Sequence, residues 1–417
     1  MNILKRIKIK SLKAKEILDS KGNPTIEVEL ETNDGVFRAS VPSGTSKGKY
    51  EALELRDKNG GVDRAIKNVN ELIAPRLKGK NQTEQIEIDN LMIKLDGTKN
   101  KSHLGANAIL AVSIAVCRAG AATKNLPLYS YISELAEKGC LPILPTPSLL
   151  MIEGGLHAKN QLAIQEFMIL SEGKSFEEKF NASKDVYNRL GGILKEKFKK
   201  DGESIGMEGG FAPSLKKTGE ALNLITEAID KSGHKNQIKI ALDAAANSFY
   251  FNGSYNFEGE GKSPEELSGF YLDLLNQYPI FSIEDPFAEE ALESWVNFRL
   301  KILNSKLKNL VIGDDLTTTN PERIKEVNEK RACNAVIIKP NQIGTVSETI
   351  TAVKLTQSFG WQIIVSHRSG ETTDDFIADL AVGIGADFIK TGAPARSERM
   401  AKYNRLLKIE EELKNLK

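Results

Sequence analysis

The chain has 417 residues, 27% of them charged, and a formal net charge of +1. That length suits a small domain plus a barrel-sized one, and the near-neutral balance excludes the basic footprint of a nucleic-acid binder. Cys117, Cys140 and Cys333 are widely spaced with no CxxC pair, a pattern read as reduced thiols in a cytoplasmic protein.

Residues 1–15 are rich in lysine but lack the apolar core of a signal peptide. Residues 25–30 alternate apolar and acidic side chains, and residues 35–41 follow after the turn Asn33-Asp34-Gly35, which predicts a hairpin. Helical apolar spacing runs from residue 61 to about 135, punctuated by Pro75 and Gly97, so the first part is an α+β unit. Its most apolar stretch, residues 108–117, is bounded by Asn107 and Arg118. It falls well short of the roughly 20 residues that span a bilayer and is expected to be a buried helix. Pro142, Pro145 and Pro147 mark a boundary, giving an N-terminal domain over residues 1–137 and a second domain over residues 143–417. The loop from Pro42 to Tyr50 bears glycines and hydroxyls but lacks the spacing and final Ser or Thr of a nucleotide-binding loop. It is read as a mobile lid.

From residue 238 onward, short apolar runs end in a polar residue and are followed by helix-like stretches. Six such runs end at Asp243, Glu284, Asp314, Lys339, His367 and Lys390. The repeat implies a parallel sheet covered by helices, closed into a barrel. Strand ends then open onto one face, where residues distant in sequence converge. A single strand-end charge is more often a cap or a solvated side chain; six in register are not explained that way.

Asp243, Glu284 and Asp314 offer three carboxylates without thiolate or imidazole, a donor set that suits Mg²⁺ better than zinc. Lys339 and Lys390 share the bowl, where burial, a cation or a second ammonium lowers a lysine pKa. One lysine could then take a weakly acidic α-proton from a metal-bound carboxylate substrate, the metal stabilising the enediolate. His367-Arg368-Ser369-Gly370 offers a guanidinium fork, a hydroxyl and backbone donors to a phosphate.

With these residues in view, the chain resembles the enolase family over nearly its whole length. The resemblance rests on Asp19-Ser20-Lys21-Gly22-Asn23-Pro24-Thr25, Val41-Pro42-Ser43-Gly44 with Ser46 and Gly48, and Gln165-Glu166-Phe167-Met168. It continues through Ser282-Ile283-Glu284-Asp285-Pro286-Phe287, Gly313-Asp314-Asp315-Leu316, Lys339 with Asn341-Gln342-Ile343-Gly344, the segment from Ser366 to Thr372, and the segment from Lys390 to Arg399.

The resemblance implies an α/β fold: an enolase-type TIM-like (β/α)8 barrel preceded by a smaller α+β capping domain. It implies a hydro-lyase that converts 2-phosphoglycerate reversibly into phosphoenolpyruvate in glycolysis and gluconeogenesis. Asp243, Glu284 and Asp314 would hold one Mg²⁺ and Ser46 would help hold a second. Lys339 would take the C2 proton, Lys390 would balance carboxylate charge, and Glu208 assisted by Glu166 would protonate the departing hydroxyl. Arg368 and Ser369 would bind phosphate, with His157, Gln165 and His367 lining the pocket. A cytoplasmic homodimer or larger homo-oligomer is expected, with Lys21 and Glu411 near its contact, and no membrane span.

Four positions depart from the family pattern. Met207 precedes Glu208-Gly209-Gly210 where aspartate is usual, Glu153-Gly154-Gly155 replaces Asn-Gly-Gly, Ser248 replaces glutamate and Lys21 replaces arginine. Loss of a carboxylate at position 207 is expected to lower the pKa of Glu208. A superfamily member acting on a non-phosphorylated carboxylate, and a weakened paralogue serving as a scaffold through its C-terminal tail (residues 414–417), are the rival readings.

Overall fold

The computed structural model describes residues 8–45, 48–139 and 142–415. Ser46, expected at the metal, and Cys140 lie outside the described residues. The chain opens with an antiparallel sheet of β1 (Ser11–Leu18), β2 (Pro24–Glu31) and β3 (Val36–Ser40). The expected hairpin is β2–β3, and β1 adds an edge strand that the sequence reading did not include. Ile26, Val28 and Leu30 of β2 are buried, while Glu27 and Glu29 on the opposite face pair with Lys15 and Arg38 at 2.8 Å. This alternation is the period-two pattern of a sheet wet on one side.

Gly97 ends the helix Gln85–Asp96 in the left-handed region at φ 71°, as its sequence position suggested. Pro75 does not end its helix. A π-helical stretch, Asn68–Ile73, precedes the turn Ala74–Leu77 and accommodates a residue with no N–H to donate. The apolar helix runs over Ala106–Thr123, longer than expected and, by length and composition, able to cross a membrane; 83% of it is buried inside the fold, against β2 and β3.

The second unit is a closed eight-stranded barrel. Its strands are β4 (Thr146–Glu153), β5 (Glu166–Ser171) and β6 (Ile238–Asp243), then, after a small meander of β7 (Tyr250–Phe251), β8 (Ser254–Phe257) and β9 (Glu260–Lys262), β10 (Ile280–Glu284), β11 (Leu310–Gly313), β12 (Ala335–Ile338), β13 (Gln362–Ser366) and β14 (Phe388–Lys390). The expected all-parallel sheet needs one correction: β5 runs antiparallel to both β4 and β6. The β4–β5 connection holds only the 3-10 turn Gly155–His157 and no crossover helix, and the chain reverses through it. Reversal has a functional consequence. Glu166, the first residue of β5, comes to the same rim as the last residues of its neighbours, in register with Glu153 on β4 and Asp243 on β6. Inside the barrel Leu310, Ile312, Ala335, Ile337 and Ile364 form a small apolar plug, with Phe281 and Phe388 packed edge to face at 5.3 Å. The barrel is therefore a packed core with chemistry only at its rim.

The N-terminal unit sits on that rim. Arg118 reaches Asp374 with two bonds of 2.7 and 2.9 Å and Asp375 at 3.0 Å, Lys101 meets Glu348 at 2.8 Å, and Ser43 forms a backbone bridge with Gly370.

Candidate active site

The register of the barrel places Glu166, Asp243 and Glu284 side by side on adjacent strands, all buried. Lys390 at the end of β14 points into this row, its ammonium 3.1 Å from Glu166, 2.9 Å from Asp243 and 3.0 Å from Glu284. Lys339, one residue beyond β12, pairs with Asp314, whose other oxygen accepts from Gln342 at 2.9 Å. One polar cavity is lined by both lysines together with His157, Gln165, Glu166, Glu208, Asp243, Asp314, His367, Arg368 and Ser369. Glu284 reaches the same group through Lys390. Apart from Ser46, the structure thus brings every site residue expected from sequence to one place.

The expected lowering of the lysine pKa values is not what this arrangement gives. Burial is the largest single influence and pushes Lys339 down, but Asp314 and Glu284 together outweigh it and the group is raised. Lys390 is likewise lifted well above the usual lysine range, because Asp243, Glu166 and Glu284 prevail over burial. Of the carboxyls, Glu284 and Glu166 are raised well above their ordinary value, chiefly by burial. Burial also works to raise Glu208, yet His367 and His157 beside it hold that group well below the usual range. Of these two neighbours Glu166 is the carboxyl shifted up and Glu208 the one shifted down. His157 stands between the two, its Nδ1 3.6 Å from each, beyond direct hydrogen-bonding distance.

The orientation of His367 is fixed by a residue given no role at the sequence level. Arg399, fully buried, puts a guanidinium nitrogen 2.6 Å from Nδ1 of His367 and also donates to the carbonyls of Arg368 and Ser369. A guanidinium only donates, so Nδ1 accepts and the ring proton sits on Nε2, 3.1 Å from Glu208. Burial pushes His367 down to about 3, so the imidazole is neutral at physiological pH.

Around the expected phosphate residues the lid has docked. Ser369 Oγ lies 2.6 Å from Thr45 Oγ1 and accepts the Thr45 N–H at 3.0 Å; Lys21 donates to Thr45 Oγ1 at 2.8 Å. Beyond the undescribed pair, the Lys49 N–H donates to Glu289, the Tyr50 hydroxyl donates to Glu290 at 2.8 Å, and Arg323 covers the Tyr50 ring at 4.5 Å. Lys21 thus turns toward the lid. Arg368 is held by Glu51 through bonds of 3.0 and 3.2 Å. Glu51 was missed because a lone acid in the acidic stretch Glu51–Glu54 has no distinguishing spacing. Asp285, at φ 41°, accepts the N–H groups of Asp314 and Asp315 and aims that loop.

Among the described residues, acidic groups whose ligand atoms lie within 4.8 Å of one another are Asp285–Asp314–Asp315 and, with imidazole, His157–Glu166–Glu208. The expected trio of Asp243, Glu284 and Asp314 does not close that tightly, because the two ammonium groups stand among its oxygens. The donor set nevertheless fits a hard divalent cation: buried carboxylates only, the three of them sharing two ammonium groups, so that negative charge remains for a cation to meet.

A small α+β cap over an eight-stranded barrel, with acids and lysines sharing the capped rim, is the architecture that enolase-superfamily proteins use. The chain matches the enolase N-terminal domain over residues 9–132 and the enolase C-terminal TIM barrel domain over residues 141–416. It belongs to the enolase family, whose members generally depend on Mg²⁺.

Proposed function

We propose that this protein is an enolase in the strict sense, a hydro-lyase that interconverts 2-phosphoglycerate and phosphoenolpyruvate in glycolysis and gluconeogenesis. The observation that carries the reading is the single cavity joining Lys339 and Lys390 to Glu166 and Glu208 and to the Arg368–Ser369 pair. Arg368 and Ser369 bind the phosphate, and Gln165, His157 and His367 shape the pocket. Lys339 takes the proton from C2. Glu208, resupplied from Glu166, protonates the C3 hydroxyl, which leaves as water. Lys390 remains charged and faces the substrate carboxylate. Asp243, Glu284 and Asp314 would hold one Mg²⁺, and Ser46 a second, supplying positive charge that stabilises the electron-rich carboxylate. With Asp314 engaged by a cation, burial, Arg368 and Lys390 remain to lower Lys339, as a base requires.

A relative acting on a non-phosphorylated acid would have no use for Arg368, Ser369, Thr45 and Lys21 gathered at one end of the site. A cytoplasmic setting is supported by the free, buried thiols of Cys117 and Cys333. A homodimer or larger homo-oligomer belongs to the same reading. The test is the Mg²⁺-dependent rise in ultraviolet absorbance with 2-phosphoglycerate, with Lys339→Ala beside the wild type. The expected loss in kcat is about 10²- to 10⁴-fold. A folded wild type that gives no rise in Mg²⁺ would refute the proposal.

A further inference from the structure

Glu153 ends β4 with no solvent exposure and no cationic partner in hydrogen-bonding range among the described residues. Instead its carboxylate accepts the N–H of Glu208 on both oxygens, at 3.0 and 3.1 Å, and the N–H of Gly210 at 2.7 Å. The loop is built around it: a Cβ at Gly206 would stand 2.5 Å from the Glu153 carboxylate, and one at Gly210 3.0 Å from its Cγ. So the glycines flanking Glu208 leave room for a buried acid. Met207, partly exposed, carries no charge.

We propose that Glu153 is the positioning residue of Glu208: it clamps the Glu208 loop through two backbone N–H groups and supplies, from β4, the negative charge that Met207 does not. Two carboxylates joined through one peptide unit repel, so the ionised form of either favours the protonated form of the other. An acid that must hand over a proton is helped by such a neighbour. With Glu208 ionised, burial and the Glu208 charge push Glu153 up to about 8 and the proton rests on Glu153; when Glu208 is the protonated partner, as an acid must be, the same coupling leaves the negative charge on Glu153. The other ionisable groups facing Glu153 are Glu166 across the β4–β5 register, Tyr187 of the helix Phe176–Phe198 and Arg399 of the C-terminal helix. Glu208 itself also faces His157 and His367. None of these places a second negative charge on the 206–210 loop.

The inference rests on the proposed dehydration, and the test separates the two. Glu153→Gln keeps size and an acceptor oxygen but removes the charge. With 2-phosphoglycerate and Mg²⁺ its kcat is expected to fall about tenfold with KM little changed. The limb of the kcat–pH profile that reports the general acid should move down by roughly one pH unit, the size of one lost like-charge contact. Adding Met207→Asp to Glu153→Gln should restore both. In the wild-type background Met207→Asp, which leaves the Glu153 bonds untouched, should leave kcat within about twofold. That variant also serves if Glu153→Gln does not fold. A wild-type pH profile in Glu153→Gln, or a tenfold gain from Met207→Asp alone, would overturn the role of Glu153 while leaving the dehydration intact. A wild type without turnover would overturn both.

Discussion

Replacing Lys390 by methionine removes the one ammonium that lies between Glu166, Asp243 and Glu284, at 3.1, 2.9 and 3.0 Å. The side chain is 4% exposed and its partners 2–5%, so solvent does little to screen what remains. Removing one partner of a buried ionic group costs about 3–5 kcal/mol, because a charge is left uncompensated. Here three carboxylates share that fate, and the upper end of the range is expected in urea unfolding without divalent cation. The sign of the pH dependence follows from the groups left behind. Glu166 and Glu284 already have folded-state pKa values raised by burial, and loss of Lys390 raises them further. The folded state then binds more protons than the unfolded one, so the variant loses stability as pH rises and regains it toward pH 5. Mg²⁺ in excess should recover part of the loss, since a ligand that binds only the folded state stabilises by its mass action. A variant as stable as the wild type at pH 8 without Mg²⁺ would refute the claim that Lys390 neutralises this row.

Arg118→Met should cost about 3 kcal/mol in urea unfolding, the low end for a largely buried pair, because Asp374, its side chain 9% exposed, loses its cation and keeps only the N–H groups of Ser40 and Phe376 among the described residues. Burial acts to raise Asp374, but Arg118 holds it below the usual carboxylate range, so its contribution is complete above about pH 4 and fades as pH falls further. Arg399→Met should free the His367 ring to take the other tautomer; kcat is expected to fall about 10-fold or more, and nuclear magnetic resonance of the ring nitrogens should show Nε2–H lost as the sole form. An unchanged tautomer would show that Glu208 alone orients the ring.

The sequence made the barrel legible because each of its six later strands ends in a polar residue at a repeating interval, from Asp243 to Lys390, and this survives without any alignment. It did not reveal β1, whose lysines and glutamate hide an edge strand, nor the meander β7–β9, whose strands are 2–4 residues long. The reversal of β5 was hidden for a different reason. Direction is set by a β4–β5 connection that forms a 3-10 turn and no helix, while the residues of β5, buried on both faces, read the same either way.

The site divides along the same line. Residues that act at a strand end, such as Lys339 or Glu284, are marked by position. Those that act through another residue are marked only by contact. Arg399 lies on a helix where buried and exposed arginines look alike in sequence, and only its place behind His367 distinguishes it from Arg396. Position 153 shows the same limit more sharply. Taken singly, Glu153 and Met207 are two unrelated departures from a family pattern, and Met207 alone predicts a weakened acid. In the fold the Glu153 carboxylate meets the backbone N–H of the residue that follows Met207, so one gain of charge stands beside one absence. The pair is a compensation that exists only in three dimensions, and its energy has to be measured on both positions together.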